Sequence, residues 1–477
     1  MWVIEVINMS KCVPKLQPLL SQDQIQQMHN AALEILESVG IKIEHPRLIQ
    51  MLSGQNGVII EDNWARLLPD VVDRYVNEQR QRARPFSHPE TSKIHCSAGG
   101  YASYTVDMET DEVRPITTTD LIQYTKLIHA MNDAGYPIAG SCPGFPQDVP
   151  PPLRPLAQYR IGAEYSKFGG SADIPSIPIA EYIREMQQVM GRTFFSLPLY
   201  MVSPLRLQGD SLERVLHFWD ELSSISVSSM PMIGVSLPIF FPDAFVLAMA
   251  EVMGGYTIMR VMGAANVSFS VNAHPFDMKY TALTFASPEH NLCDLTQMEI
   301  NRFYGISHPG SRSLRTMAKR PGIQAAAEKS ASAVIGALAG SRSFSSGGVM
   351  ALDELFSPEQ LVIDCEIIAY VKRFIEGYEF SGLRLSIQDI REMSLRGHFL
   401  EHESTRAHYR DIYWMPQLFE HTMLRQWFDM DEPDLRHRAQ AIVHEMIQKH
   451  DYQLDESKQR QLNEIYEHAK YRLKYEG

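Results

Sequence analysis

The sequence predicts an α/β fold, a (β/α)8 TIM barrel with an α+β N-terminal portion and C-terminal helices. Three observations lead there. Short apolar runs recur near Ile138, at 195–202, 232–237, 267–271 and 343–345, with another near Ile306. Helical patterns lie between them, at 120–132, 212–222, 243–253, 288–303, 323–338 and 359–375. Such alternation makes a parallel sheet buried on both faces. No Gly-x-Gly-x-x-Gly follows the first of these strands, and the units are many. A closed barrel is therefore favoured over an open dinucleotide-binding sheet.

Each element has a local cause. Ser21 and Gln24 read as a capping box. Ile25, Met28, Ala32, Ile35, Leu36 and Val39 then share one helical face, and Gly40 ends the helix. A second helix is expected at 69–81. The stretch 94–116 alternates and is rich in Thr, Val and Tyr, so it reads as hairpin strands. Together these form an N-terminal α+β region, 1–117. The barrel is expected over 118–430, its first helix capped by Thr119. Pro150-Pro151-Pro152 is a rigid turn. The end, 431–477, reads as two charged helices on the surface.

Bulk properties narrow the function. The chain has 477 residues, 44% hydrophobic and 21% charged, an ordinary globular composition. A net charge of −13 argues against nucleic acid or an anionic membrane as partner and suits a cytoplasmic enzyme. Five scattered cysteines without a Cys-x-x-Cys pair read as buried apolar residues rather than a disulfide framework. Met1 to Ser10 carries Glu5 and no basic start, so no secretory signal is expected. The apolar stretch 230–253 is broken by Pro231, Pro238, Pro242, Asp243 and Glu251, so no membrane span is expected.

The string Gly397-His398-Phe399-Leu400-Glu401-His402-Glu403-Ser404-Thr405-Arg406 carries the densest chemistry. By residue type alone it could ligate a metal, act in acid–base catalysis or form a polar brace, and the brace is favoured. The string also resembles the Gly-His-Phe-Leu-x-His-x-x-Thr signature of the trimethylamine methyltransferase family, the corrinoid-linked methyltransferases. Further matches follow in the family's order. They are the opening helix to Val39-Gly40-Ile41, Asp107-Met108-Glu109-Thr110 to Arg114-Pro115, and Val202-Ser203-Pro204-Leu205. Phe285-Ala286-Ser287-Pro288-Glu289 and Pro321 to Ala325 with Glu328-Lys329 complete the set. Asp111 replaces a family glycine. Met317 and Ala318 depart from the family's Thr-Asp-Ser-Lys.

The resemblance implies a TIM barrel that passes a methyl group to Co(I) of a corrinoid held by a separate cognate protein. Ordinary residues at Thr316-Met317-Ala318-Lys319 resemble the pyrrolysine-free branch, whose donors are quaternary amines such as glycine betaine. The cobalt is the nucleophile, so no catalytic side chain is expected. No zinc is expected either, because His95 and Cys96 are adjacent and Cys142, Cys293 and Cys365 lack histidines at ligand spacing. A quaternary ammonium is held by aromatic faces. Tyr101, Tyr104, Phe276 and Phe356 are the candidates, with core packing as their alternative. Arg312 and Arg315, with His308, could hold a carboxylate or make surface ion pairs. Asn272, His274, Ser346, Gly347, His398, His402 and Glu403 are expected at the barrel mouth, facing the corrinoid. Two rivals stand beside this reading: a barrel lyase or isomerase using His402 and Glu403, and a quaternary-amine-binding protein without catalysis. A homo-oligomer is compatible with all three.

Overall fold

The computed structural model describes residues 11–82, 94–306, 312–379, 385–430 and 434–473; His308 lies outside the described residues. The chain is mixed α/β. Its parallel strands form two arcs. One runs Arg312–Ser313, Ser343–Gly347, His95–Ala98, Ile138–Ala139. The other runs Ser196–Met201, Ser224–Ser229, Val267–Phe269. Among the described strands no ladder joins the arcs. His95–Ala98 lies ahead of residue 118, so the parallel sheet draws its first strand from the N-terminal region.

The arcs have two unlike faces because side chains alternate along a strand. Leu197, Leu199, Ile225, Val227, Phe269 and Phe344 are buried under the helices. The other face carries Ser196, Pro198 and Tyr200, then Ser224, Ser226 and Ser228, then Ser268 and Ser270, with Ser97, Ser313 and Ser345 on the first arc. Parallel barrels usually fill this space with Val, Ile and Leu. Here small hydroxyls line it, and Ser224 Oγ donates to Ser196 Oγ at 2.8 Å.

Several elements differ from expectation for identifiable reasons. The core strand is 224–229, Ser-Ile-Ser-Val-Ser-Ser, where the serines mask its apolar face; of 232–237 only Met232–Ile233 is a strand. Thr117, not Thr119, caps the helix Thr118–Asp133, because Asp120 then completes a capping box with it. The expected strand near Ile306 is displaced to Arg312–Ser313. The helices Arg154–Tyr165 and Ile177–Val189 add a layer that periodicity did not reveal. The helix Phe241–Val261 is long and apolar enough to cross a membrane, but 78% of that stretch is inside the protein, where it packs on the outer face of the second arc. Both C-terminal helices dock. Leu435–Gln448 buries Ala439, Val443 and Met446; Glu456–Leu473 buries Leu462, Tyr466 and Ala469.

Candidate active site

A cavity of about 520 Å³ opens where the two arcs face each other, between Ile138–Ala139 and Ser196–Met201. Its wall includes Ser97, Gly100, Tyr101, Asp173, Ser196 and Tyr200. Tyr101 follows one strand, Tyr200 stands near the end of another, and Asp173 comes from the stretch before Ile177–Val189. All lie toward the C-terminal edge of the parallel strands, where α/β proteins place ligands. Two tyrosine rings and one carboxylate therefore converge on one opening. Partial burial pushes the Tyr101 phenol up; Asp173 and Tyr200 add to this and Arg315 opposes it. Burial and Asp173 likewise raise Tyr200. Gln158 fixes the Tyr101 turn by donating to the Gly100 carbonyl at 2.6 Å.

Arg315 stands beside this wall. Its guanidinium lies 4.9 Å from the Phe285 ring centroid and 3.5 Å from Asp353. The loop that presents it is held from below. Glu328 accepts from Thr316 Oγ1 at 2.5 Å and from the Met317 N–H at 3.0 Å. Ala351 and Leu352 donate backbone bonds to the Ala318 and Thr316 carbonyls. The neighbouring turn Ser346-Gly347-Gly348 is tied by a fully buried pair: Lys329 Nζ donates to Asp364 at 2.6 Å, and Asp364 also accepts from the Gly348 N–H at 2.7 Å.

The expected site residues divide clearly. Tyr101 lines the cavity, and Arg315 stands close enough to lower its phenol electrostatically. Asn272 lies on the inner face and donates to Ser228 and Ser270. His274 follows it, its ring 5.6 Å from Phe285 and 6.0 Å from His290. Burial drives His274 down to about 4 and His290 to about 3, so both rings are neutral. Phe276 is half-buried on the hairpin that follows. Tyr104 is exposed on the Tyr104–Val106 strand, which pairs with the outlying strand Val113–Pro115.

Three expectations are corrected. Arg312 is no clamp: it is buried in the strand, 2.5 Å from Asp294, and its aliphatic part packs where Gly336 leaves room. Phe356 is fully buried against Tyr124, 5.2 Å between rings. Ser346 and Gly347, expected to face a corrinoid at the barrel mouth, form a packed turn. Ser346 is buried, and a Cβ on Gly348 would sit 2.5 Å from the Phe356 ring.

The residues of the histidine-rich string are not in the wall of this cavity. The helix Pro358–Glu376 starts beside Gly348 at the strands' C-terminal edge. That helix spans about 28 Å, and Arg373, near its far end, donates to the Ile412 carbonyl. His402 there caps the helix Glu403–Ile412, its Nδ1 accepting from the Ser404 N–H at 3.2 Å. His398 and Glu403 are exposed on the same segment.

Metal chemistry finds little support in the donors. Among the described residues, His129, Asp133 and Asp451 bring ligand atoms within 4.8 Å of one another. His129 Nδ1 accepts the Lys167 N–H at 3.1 Å, so its proton is on Nε2, 2.8 Å from Asp133. A metal at Nε2 would displace that proton onto a nitrogen already facing a donor. Cys142, in the cavity wall, is pushed up to about 12 by burial and stays a thiol.

Sequence reasoning missed Tyr200 and Asp173. The period-two serines, Ser-x-Ser-x-Ser at 224–228 and Ser-x-Ser at 268–270, were the available sign that one strand face is wet.

The chain is 25% identical over 460 residues to Trimethylamine methyltransferase MttB2 of Methanosarcina mazei, covering 91% of each. It is 22% identical over 453 residues to the Glycine betaine methyltransferase of Desulfitobacterium hafniense, covering 91% of this chain and 92% of that one. The crystal structure of Monomethylamine Methyltransferase (MtmB) from Methanosarcina barkeri aligns with 96% of this chain and 88% of its own, at 12% identity and a TM-score of 0.47. The family described as Trimethylamine methyltransferase (MTTB) matches residues 4–473, and with the motifs in its order from end to end, the chain belongs to that family.

Proposed function

We propose that this protein transfers a methyl group from a small carboxylated quaternary amine to Co(I) of a corrinoid carried by a separate protein in the cytoplasm. On this reading the two arcs are the sides of a (β/α)8 barrel, and the cavity is its mouth. The observation that carries the proposal is the convergence of Tyr101, Tyr200 and Asp173, with the charge of Arg315 acting on Tyr101. A quaternary ammonium donates no hydrogen bond; aromatic faces hold it by about 0.5–2 kcal/mol each, and a nearby carboxylate adds to this. Arg315 keeps a long contact to Asp353, so its guanidinium is available to a substrate carboxylate.

The step balances without an acid. The methyl C–N bond breaks and its electron pair stays on nitrogen, leaving a neutral tertiary amine. The acceptor cobalt supplies the pair for the new C–Co bond. The chain's task is to position the donor and admit the acceptor. This reading needs neither zinc nor pyrrolysine.

An apolar rim suits the acceptor's approach. Phe240 and Tyr280 are 70% and 68% exposed, and Ile239 and Met278 meet across Gly234 at the same edge. The rival lyase reading loses its motive, since His402 is occupied as a helix cap.

Calorimetric binding tests the site. Arg315→Ala should weaken a betaine about 10-fold or more while changing choline little, because a charge-assisted hydrogen bond contributes about 1.5–3 kcal/mol. Tyr200→Ala should weaken both. Equal effects of Arg315→Ala on betaine and choline would remove the carboxylate assignment.

A further inference from the structure

The segment 385–430 is folded but barely attached. Its three helices are Ile387–Arg396, Glu403–Ile412 and Leu424–Asp429. Among the described residues they bury one side chain between them, Met393. The first two are amphipathic, yet the segment's apolar residues stand in solvent: in the helices Leu395 is 81% and Ile387 74% exposed, and between or beside them Leu400 and Met423 are each 75% and Tyr413 69%. Among the described residues the segment is tied down where it returns. There Arg373 donates to the Ile412 carbonyl at 2.6 Å, and Glu366 accepts three backbone N–H groups, from Gln417, Leu418 and Phe419.

An apolar groove of about 700 Å³ lies at the foot of this projection, walled by Cys12, Val13, Tyr370, Phe374, Tyr378 and Tyr413. It owes its shape to Gly377, where φ is +63°. Any Cβ there would lie 1.9 Å from the Cys12 carbonyl oxygen and lift the N-terminal strand away. One face thus carries a protrusion and a recess, both apolar.

We infer that this face is a self-complementary interface, in which the 385–413 projection of one copy seats in the groove of a second copy. Four observations select a second copy as the occupant. First, a two-fold contact requires each patch to present what the other receives, and this patch carries both parts. Second, thirteen large apolar side chains of 385–430 are exposed, where a monomer normally shows such residues singly and an interface of ~800 Å² per partner would cover them. Third, the chain as a whole carries −13, yet 385–430 has five arginines against seven carboxylates, so two copies can meet there without strong repulsion. Fourth, the face lies along the far half of the helix Pro358–Glu376, so pairing leaves the cavity edge open on both copies.

The test uses the full chain. Leu395→Glu with Leu400→Glu places charges at two exposed positions, so the protomer keeps its fold, checked by circular dichroism and melting. Sedimentation velocity at micromolar concentration should show a dimer for the natural chain. The double variant should show at least a hundred-fold weaker association. A second readout is local. Cys12 is exposed while the other four cysteines are buried, so maleimide labelling reports the groove. Labelling should be about ten-fold slower in the dimer than in the variant. A natural chain that stays monomeric, alone or only until another protein is added, would overturn the inference. So would a dimer that the two glutamates leave intact, or one in which Cys12 labels at the variant's rate.

Discussion

Lys329→Met removes the cation from a pair whose two side chains have no solvent exposure. Asp364 then keeps two donors, the Gly348 N–H at 2.7 Å and Gln360 Nε2 at 2.8 Å, but loses its counter-charge. Breaking a buried pair from one side costs about 3–5 kcal/mol, because the remaining charge is stranded. The retained donors place Lys329→Met near 3 kcal/mol on that scale. Asp364→Asn should cost more, about 4–5 kcal/mol, since it strands an ammonium with no other anion described nearby and turns an amide group toward existing donors. The double variant Lys329→Met/Asp364→Asn strands nothing and should cost less than the sum by about 2 kcal/mol or more. Equilibrium denaturation of the four proteins in guanidinium gives this cycle directly. Additive losses, or single losses under about 1 kcal/mol, would refute the claim that this pair is a mutually dependent brace for the Gly348 turn.

Three further outcomes follow from the same coordinates. Glu251 is buried, accepts from Ser203 at 2.6 Å and is pushed up to about 7 from 4.5; the folded state therefore holds a proton that the unfolded state releases, and stability falls by about 3 kcal/mol as pH rises from 4.5 to 7. Glu251→Gln should flatten that slope in denaturation midpoints taken across the window, and an unchanged slope would count against it. His290, held down at about 3 with neither ring nitrogen hydrogen-bonded to protein, gives the opposite sign: the unfolded state takes up a proton below pH 6.5 and the folded state does not. His290→Phe should recover about 2 kcal/mol of the stability lost between pH 6.5 and 5, and no recovery would place the acid sensitivity elsewhere. Gly99→Ala puts a Cβ 2.1 Å from Val349 Cγ2; overpacking of this kind costs about 1–3 kcal/mol, and Val349→Ala in the same molecule should relieve part of it.

How far the sequence could be read differs from element to element. Helices with a clear apolar stripe, such as Gln22–Ser38 and Pro288–Phe303, were legible because burial falls on one face. The strand Ser224–Ser229 was not, because its inner residues are serines and the outer ones only two apolar groups. Tyr101 and Arg315 were legible as an aromatic and a cation placed after strands. Arg312 shares the second description, yet its position within the strand turns it outward to Asp294. Phe356 shares the first, yet it fills the space that Gly348 leaves. Asp173 and Tyr200 join Tyr101 only through the meeting of distant segments, which no local pattern encodes. The string 397–406 pointed to the family; its His402 serves a helix end and its Leu400 is exposed.

The central claim is methyl transfer from a carboxylated quaternary amine, and one measurement reaches it directly. The protein is incubated with chemically reduced cob(I)alamin and, in parallel, glycine betaine, other betaines, choline and trimethylamine, and methylcobalamin is followed by its absorbance. The account predicts methylcobalamin from a betaine, none above background from trimethylamine, and loss of the betaine signal in Arg315→Ala. Trimethylamine as the best donor, or no methylcobalamin from any quaternary amine, would contradict it.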